Sequence, residues 1–210
     1  MKKDYGWTKP KTHAHEYLLP SIVAALRASD IDQKANILDA GCGGGYVDCE
    51  IWNAGYKNIY GFDAADSGIH IARTSYQEMQ DHFAVHDAYE PVLPESFPYK
   101  SYDVVLSIEV IEHLYRPQSY LENIHSWLKP GGYLILTTPY HGYLKNLAIA
   151  LLNKYDRHVN VSWEGGHIKF YSFASISSQL ESAGIPLVQF VGSGRVPFLW
   201  KSMIIIGKKP

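Results

Sequence analysis

Three groups of residues in this chain have the types and spacing to do chemistry. The first is a turn, Asp39-Ala40-Gly41-Cys42-Gly43-Gly44-Gly45-Tyr46, that follows the apolar Ile37-Leu38. Glycines let backbone pass very close to a ligand. Their spacing, Gly41-x-Gly43-x-Gly45, is one residue tighter than a dinucleotide fingerprint, which would need a glycine where Tyr46 stands. Asp39 sets a negative charge just before the turn. That charge would oppose a pyrophosphate and suits a cationic or zwitterionic ligand. The second group is a pair of acids at the ends of apolar runs: Asp63 after Tyr60-Gly61-Phe62, and Asp87 after His86. The third is Glu109-Val110-Ile111-Glu112-His113. On a helical turn, positions i, i+3 and i+4 share a face, so Glu109, Glu112 and His113 would stand together. His113 has the chemistry of a general base for a hydroxyl proton. With the two carboxylates it equally suits a divalent ion such as Mg²⁺ or Zn²⁺, which would acidify a bound phenol or catechol. A purely structural role, capping a turn or pairing with neighbours, is the third reading, and the residues alone leave all three open.

These residues need elements to hold them. Apolar, β-branched and aromatic runs bounded by Gly or Pro predict strands at 36–40, 58–62, 82–86, 102–108, 132–138, 187–191 and 202–208. Helical periodicity falls between them at 15–29, 45–53, 67–79, 117–128 and 173–183, with Gly or Pro at several of the stops. Such alternation predicts one α/β domain: a Rossmann-like, doubly wound, seven-stranded sheet, mostly parallel. No helical pattern separates the last two runs, so one strand should be antiparallel. Ligands of such sheets sit beyond the carboxyl ends of the strands, which is where Asp39, Asp63, Asp87 and Glu109 fall.

One stretch breaks the rhythm. Residues 139–171 form an insertion after the fifth strand, too long for an idle loop. Leu144, Leu147, Ala148, Leu151, Leu152 and Tyr155 recur at helical spacing. The insertion also carries His141, His158, Trp163, His167 and Phe170, and it leaves from the ligand-binding end, so it is expected to act as a lid. His167, in Gly165-Gly166-His167-Ile168-Lys169-Phe170, would then be a second candidate base, and Tyr140, Trp163 and Phe170 could wall an apolar or ring substrate.

Composition narrows the function classes. The formal net charge is −2, which gives no electrostatic reason to expect nucleic acid, whose binding is dominated by phosphate neutralisation. No apolar run is long enough to span a bilayer, and Met1-Lys2-Lys3-Asp4-Tyr5-Gly6-Trp7 lacks the apolar core of a signal peptide, so the expected setting is cytoplasmic, without stable membrane insertion. Cys42 and Cys49 fall within a strand-turn-helix, where a structural disulfide is not expected.

The glycine-rich run resembles motif I of the class I S-adenosylmethionine-dependent methyltransferases, and roughly residues 35–210 follow that family. The resemblance implies S-adenosylmethionine as cofactor. It further implies that Asp63 accepts the ribose hydroxyls with Ala64 along the adenine, that Asp87 reads the adenine amino group with Ala88 beside it, and that Ile108 and Glu109 lie beneath the methionine moiety. Leu128-Lys129-Pro130-Gly131-Gly132 looks like the family's turn into the fifth strand. The Asn/Asp-Pro-Pro-aromatic pattern of base and amide methylation is missing after the fourth strand. Glu109-Val110-Ile111-Glu112-His113 instead resembles the ubiquinone-biosynthesis O-methyltransferase group, implying transfer to the hydroxyl of a small molecule. Alternatives are a nicotinamide-dependent oxidoreductase or epimerase, a protein methyltransferase or non-catalytic cofactor binder, and a membrane-proximal enzyme acting on a polyprenyl substrate.

Overall fold

A computed structural model describes residues 6–159, 162 and 165–210. Seven strands form one sheet in the order β3-β2-β1-β4-β5-β7-β6. They are β1 Ile37–Ala40, β2 Ile59–Asp63, β3 Phe83–Val85, β4 Tyr102–Ile108, β5 Leu128–Pro139, β6 Leu187–Ser193 and β7 Ser202–Lys208. The first five are mutually parallel, and β7 runs antiparallel to both β5 and β6. The chain order reverses between β1 and β4, so their carboxyl ends open the crevice where such sheets take ligands.

Among the described residues the α-helices are α1 His13–Ala28, α2 Tyr46–Asn53, α3 Asp66–Ser75, α4 Pro117–Trp127, α5 Tyr143–Leu151, α6 Tyr155–His158 and α7 Phe173–Ser182. Strand side chains alternate between two cores. Ile37, Val104, Leu106, Ile135, Ile204 and Ile206 pack with Leu18, Ile22, Val47, Ile51 and Ile69 of α1 to α3. Leu38, Val105, Leu134, Leu136 and Ile205 pack with Tyr120, Leu121, Ile124, Ile176 and Leu180 of α4 and α7. Burial on both faces is why these strands read as continuous apolar runs.

The elements differ from the sequence expectation in three places. β5 begins at Leu128 and runs through Gly131-Gly132, so that residue belongs to the strand, not the preceding helix. The helix expected over 67–79 stops at Ser75 and resumes as a 3₁₀ segment, Gln77–His82. The insertion does form a helix at the leucine-rich spacing, but its apolar residues are not the buried ones. Leu144 and Leu151 are 50 % and 76 % exposed, whereas Lys145 is 4 % exposed. The buried ammonium donates to the Lys201 carbonyl at 3.1 Å, and this bond, with the ends of the insertion, sets the helix's rotation. Among the described residues no helix is long and apolar enough to cross a membrane. Trp163 lies outside the described residues.

Candidate cofactor and acceptor site

A cavity of about 760 Å³ opens beyond the carboxyl ends of the strands, within the usual range for small-molecule sites. Its wall holds Asp39, Gly41, Cys42, Asp63, Ala64, Asp87, Ala88, Ile108, Glu109, His113 and His167. Of the expected site residues, Gly43, Gly45 and Glu112 are not on that wall. The glycine turn explains two of them. Gly41, Gly43 and Gly45 all have positive φ (103°, 52° and 73°), and each meets a different neighbour. A Cβ on Gly41 would lie 2.5 Å from Val110 Cγ2, one on Gly43 2.5 Å from the Trp7 ring, and one on Gly45 2.8 Å from the Phe83 ring. Gly41 therefore admits the Val110 side chain against the turn, as Gly43 and Gly45 admit the indole of Trp7 and the ring of Phe83.

Asp63 fixes the two turns relative to each other. Its Oδ2 accepts from Gly43 N–H at 2.9 Å and its Oδ1 from Ala65 N–H at 2.8 Å. These two bonds hold the carboxylate at β2's end, on the cavity wall. Asp87 Oδ1 accepts from Tyr89 N–H at 3.0 Å, an Asx turn that presents its other oxygen. Asp39 is 1 % exposed, and its Oδ1 has no hydrogen-bond partner within the described protein. Burial, with the charge of Asp63 against it, pushes its carboxyl up to about 7 despite the neighbouring Asp48 carboxyl. Asp48, on the first turn of α2, is raised well above the usual range by burial and by Asp39. The two carboxyls adjoin, and burial with their mutual repulsion favours keeping the pair protonated.

Across the cavity, Glu109 sits at φ 54°, a left-handed conformation rare for a side chain with a Cβ. A closed ring of bonds holds it there: Glu109 N–H donates to Thr137 Oγ1 at 3.0 Å, and that hydroxyl donates to Glu109 Oε1 at 2.9 Å. Burial raises the Glu109 carboxyl to about 7. Ile111–His113 forms a 3₁₀ turn that turns Glu112 and His113 different ways. Glu112 is wholly buried, accepts from Thr138 Oγ1 at 3.0 Å, and its backbone carbonyl accepts from Ile168 and Lys169 N–H at 2.9 and 3.0 Å. It thus pins the returning arm of the insertion. His113 faces the cavity, and its Nδ1 lies 2.8 Å from the Gly165 carbonyl. That contact selects the tautomer with hydrogen on Nδ1, leaving Nε2 as the ring's acceptor nitrogen. The His167 ring stands 4.9 Å from that of His113. The nearest ligand atoms of Glu112, His113 and His167 lie within 4.8 Å of one another. The spacing Glu109-x-x-Glu112-His113 predicted a shared helical face. The observed grouping is instead Glu112 and His113 with His167, because the segment is 3₁₀ and Glu109 is turned away by its left-handed backbone.

Of the expected aromatic wall, the two described members do not line the cavity: Tyr140 packs on Trp200 at 5.1 Å and Phe170 on His141 at 5.1 Å. Other residues line it instead. Trp7 to His15 lie over the cofactor turn, with Trp7 N–H donating to Ser67 Oγ at 3.0 Å. Tyr17, Arg195, Lys201 and Ser202 close the far side. Only their proximity in the fold, across sequence separations such as Tyr17 to Ser202 (hydroxyls 2.9 Å apart), brings them in.

The fold and cavity define a class. The sequence profile of the methyltransferase-domain family matches residues 12–189, and the chain belongs to that family. It is 31 % identical over 169 residues to the ubiquinone biosynthesis O-methyltransferase of Ruegeria pomeroyi, covering 79 % of this chain and 65 % of that protein. The chain spans between 35 % and 66 % of the length of the curated relatives it matches. Among solved structures, magnesium protoporphyrin IX methyltransferase from Synechocystis, with bound S-adenosylhomocysteine, superposes with a TM-score of 0.71 at 19 % identity, over 94 % of this chain and 84 % of that one. The [4+2]-cyclase SpnF superposes with a TM-score of 0.72 at 16 % identity, over 99 % and 86 %. A fold shared with a cyclase shows that the architecture does not by itself fix the reaction.

Proposed function

We propose that the protein transfers a methyl group from S-adenosylmethionine to a hydroxyl oxygen of a small molecule. The observation that carries this reading is the division of one cavity into two halves. One half is a glycine turn with three acids at strand ends; the other holds His113 beside an open volume. The residues fit the cofactor: Gly41 brings backbone without a side chain to the cavity wall, and the buried Oδ1 of Asp39 lacks a partner within the described protein. Asp63 would take the ribose hydroxyls, Asp87 the adenine amino group, and Asp39 with Ile108 and Glu109 the methionine end. When bound, the cofactor supplies a methyl group on a sulfonium, already an excellent leaving group. The chain's own task is alignment, which can supply ~7–11 kcal/mol, and removal of the hydroxyl proton. His113 Nε2 is placed to accept that proton, with the Gly165 carbonyl holding the opposite edge of the ring.

A second reading rests on the convergence of Glu112, His113 and His167: these groups would hold a divalent ion that acidifies the acceptor hydroxyl. Assays with methyl-labelled cofactor and a panel of phenols, sugars, carboxylic acids and amines test the reaction. Transfer to oxygen is expected, and transfer to amines alone would overturn it. In that assay His113→Ala should lower kcat by about 10²–10⁴-fold while leaving S-adenosylhomocysteine affinity unchanged; near-normal turnover would remove the base assignment. Loss of wild-type activity on chelation, restored by Mg²⁺ or Zn²⁺, would favour the metal reading over the base.

A further inference from the structure

The cavity wall is electrically divided in a way the cofactor does not use up. The acids Asp39, Asp63 and Asp87 cluster at the ends of β1 to β3, where the cofactor is assigned. On the opposite side, Arg195 and Lys201 enter from the connection between β6 and β7. That connection is built, not slack. Lys201 N–H donates to the Ser193 carbonyl at 2.9 Å, and Tyr140 N–H donates to the Lys201 carbonyl at 3.1 Å. Gly194 takes φ 91°, and a Cβ there would come within 3.0 Å of both the Lys201 stem and the Tyr17 ring. The glycine thus lets the lysine stem lie along Tyr17, with its ammonium 4.9 Å from that ring's centroid and 3.4 Å from His13 Nε2.

Lys145 adds a third cation. It is 4 % exposed and donates to the same Lys201 carbonyl at 3.1 Å, although an ammonium has three donors. Burial, and next the charge of Arg195, lower its ammonium to about 8, so Arg195 stands close enough to repel it. Among the described residues, neither Lys145, Arg195 nor Lys201 is in an ion pair. The acid nearest in effect is Glu109, and its carboxyl is engaged by Thr137 and Ser202 and raised to about 7 by burial. The three cations outnumber that carboxyl and leave a local excess of positive charge at this end of the cavity. The buried ammonium of Lys145 is costly without a counter-ion, and the more exposed arginine and lysine in front of it are the donor set that recognises carboxylate or phosphate.

Resting on the methyltransferase reading above, we propose that the methyl acceptor is itself an anion, whose carboxylate or phosphate group seats at Arg195 and Lys201 with Lys145 behind them. This places the anionic group at the β6–β7 end of the cavity and directs the rest of the acceptor toward Glu109 and His113. The subsite would then act in acceptor choice: an uncharged analogue would leave the three cations unpaired and bind weakly.

The test uses matched probes that differ by one charge, 3,4-dihydroxybenzoate against catechol, with the full chain. Binding to the S-adenosylhomocysteine complex is measured by calorimetry, and turnover with labelled S-adenosylmethionine wherever either ring accepts methyl. The carboxylated ring should bind at least tenfold more tightly. Arg195→Gln and Lys201→Met, singly and together, should collapse that preference toward unity, acting on KM more than on kcat, with the S-adenosylhomocysteine affinity unaltered. Inorganic phosphate, added alone, should compete with the carboxylated ring in the wild type and not in the double variant. Arg195 is exposed, so its replacement is not expected to disturb folding, and circular dichroism checks the Lys201 variant. Equal or absent binding of the two rings overturns the proposal. So does a preference that survives both substitutions. Loss of S-adenosylhomocysteine affinity in the variants would show that the cations serve the cofactor's own carboxylate, which also overturns it. Failure of the broader methyltransferase reading looks different: the wild type would bind neither form of the cofactor.

Discussion

Replacing Asp48 with asparagine should make the protein more stable at pH 8, with a gain that shrinks as pH falls and disappears near pH 4. The reason lies under the glycine turn. Asp48 is fully buried, neither carboxyl oxygen bonds to anything else in the described protein, and Asp39 adjoins it. Asp63 also faces the pair and adds negative potential, while the buried Cys42 thiol is held well above its ordinary value and stays neutral. Burial moves the Asp39 carboxyl from its ordinary 3.8 to about 7, and raises Asp48 as well. A carboxyl raised on folding contributes stability that is complete below its unfolded value, near 4, and is lost as pH climbs through the folded value. At about 1.4 kcal/mol per pH unit, a rise from 3.8 to about 7 corresponds to roughly 4 kcal/mol forfeited between pH 4 and 7. Asparagine has the same shape, never ionises, and its amide can donate to Asp39, relieving the repulsion. Allowing for relaxation and for the pair titrating as a unit, we expect about 2 kcal/mol in favour of the variant at pH 8. For a domain of this size that is about 4–8 °C in Tm. The assay is the variant-minus-wild-type Tm difference across pH 5 to 8, which cancels the histidines and other groups that titrate in the same range. A difference that is flat with pH, or that turns negative at pH 8, would refute the account of a pair kept protonated by burial.

Other consequences follow from single contacts. Asp63→Ala removes the acceptor of the Gly43 and Ala65 N–H groups and should cost about 1–3 kcal/mol of stability, along with at least a tenfold loss of S-adenosylhomocysteine affinity by calorimetry. Gly41→Ala forces a Cβ to 2.5 Å from Val110 at φ 103°, so cofactor affinity should fall sharply, and Val110→Ala in the same chain should restore part of it. Trp7 packs on Gly43 with its indole N–H buried and unbonded. Trp7→Ala should weaken S-adenosylhomocysteine several-fold and abolish much of the fluorescence change on its binding; an unchanged Kd would place the N-terminal segment outside the cofactor site.

The sheet, and many of the residues that line the cavity at the ends of its strands, were legible in the sequence, and the cations at its β6–β7 end were not. β4 and β7 fall at residues 102–108 and 202–208, as expected from their apolar runs, because strands buried on both faces have no freedom to be polar. Gly41, Asp39, Asp63 and Asp87 could be named in advance because each sits within a residue or two of the end of a strand or within the turn that follows, so local spacing fixes where it points. Position along the chain could not show that Glu109 would adopt a left-handed backbone and leave Glu112 and His113 to meet His167. That depends on bonds to Thr137, Thr138 and the returning insertion. Nor could it show that α5 buries its lysine and exposes its leucines, since periodicity gives a helix its faces but not which one the rest of the molecule covers. The cations at 145, 195 and 201 come from three separate segments, and only tertiary packing brings them to one place. Local sequence determined the glycine turn at the end of β1; long-range contacts alone decided which charged side chains share the cavity.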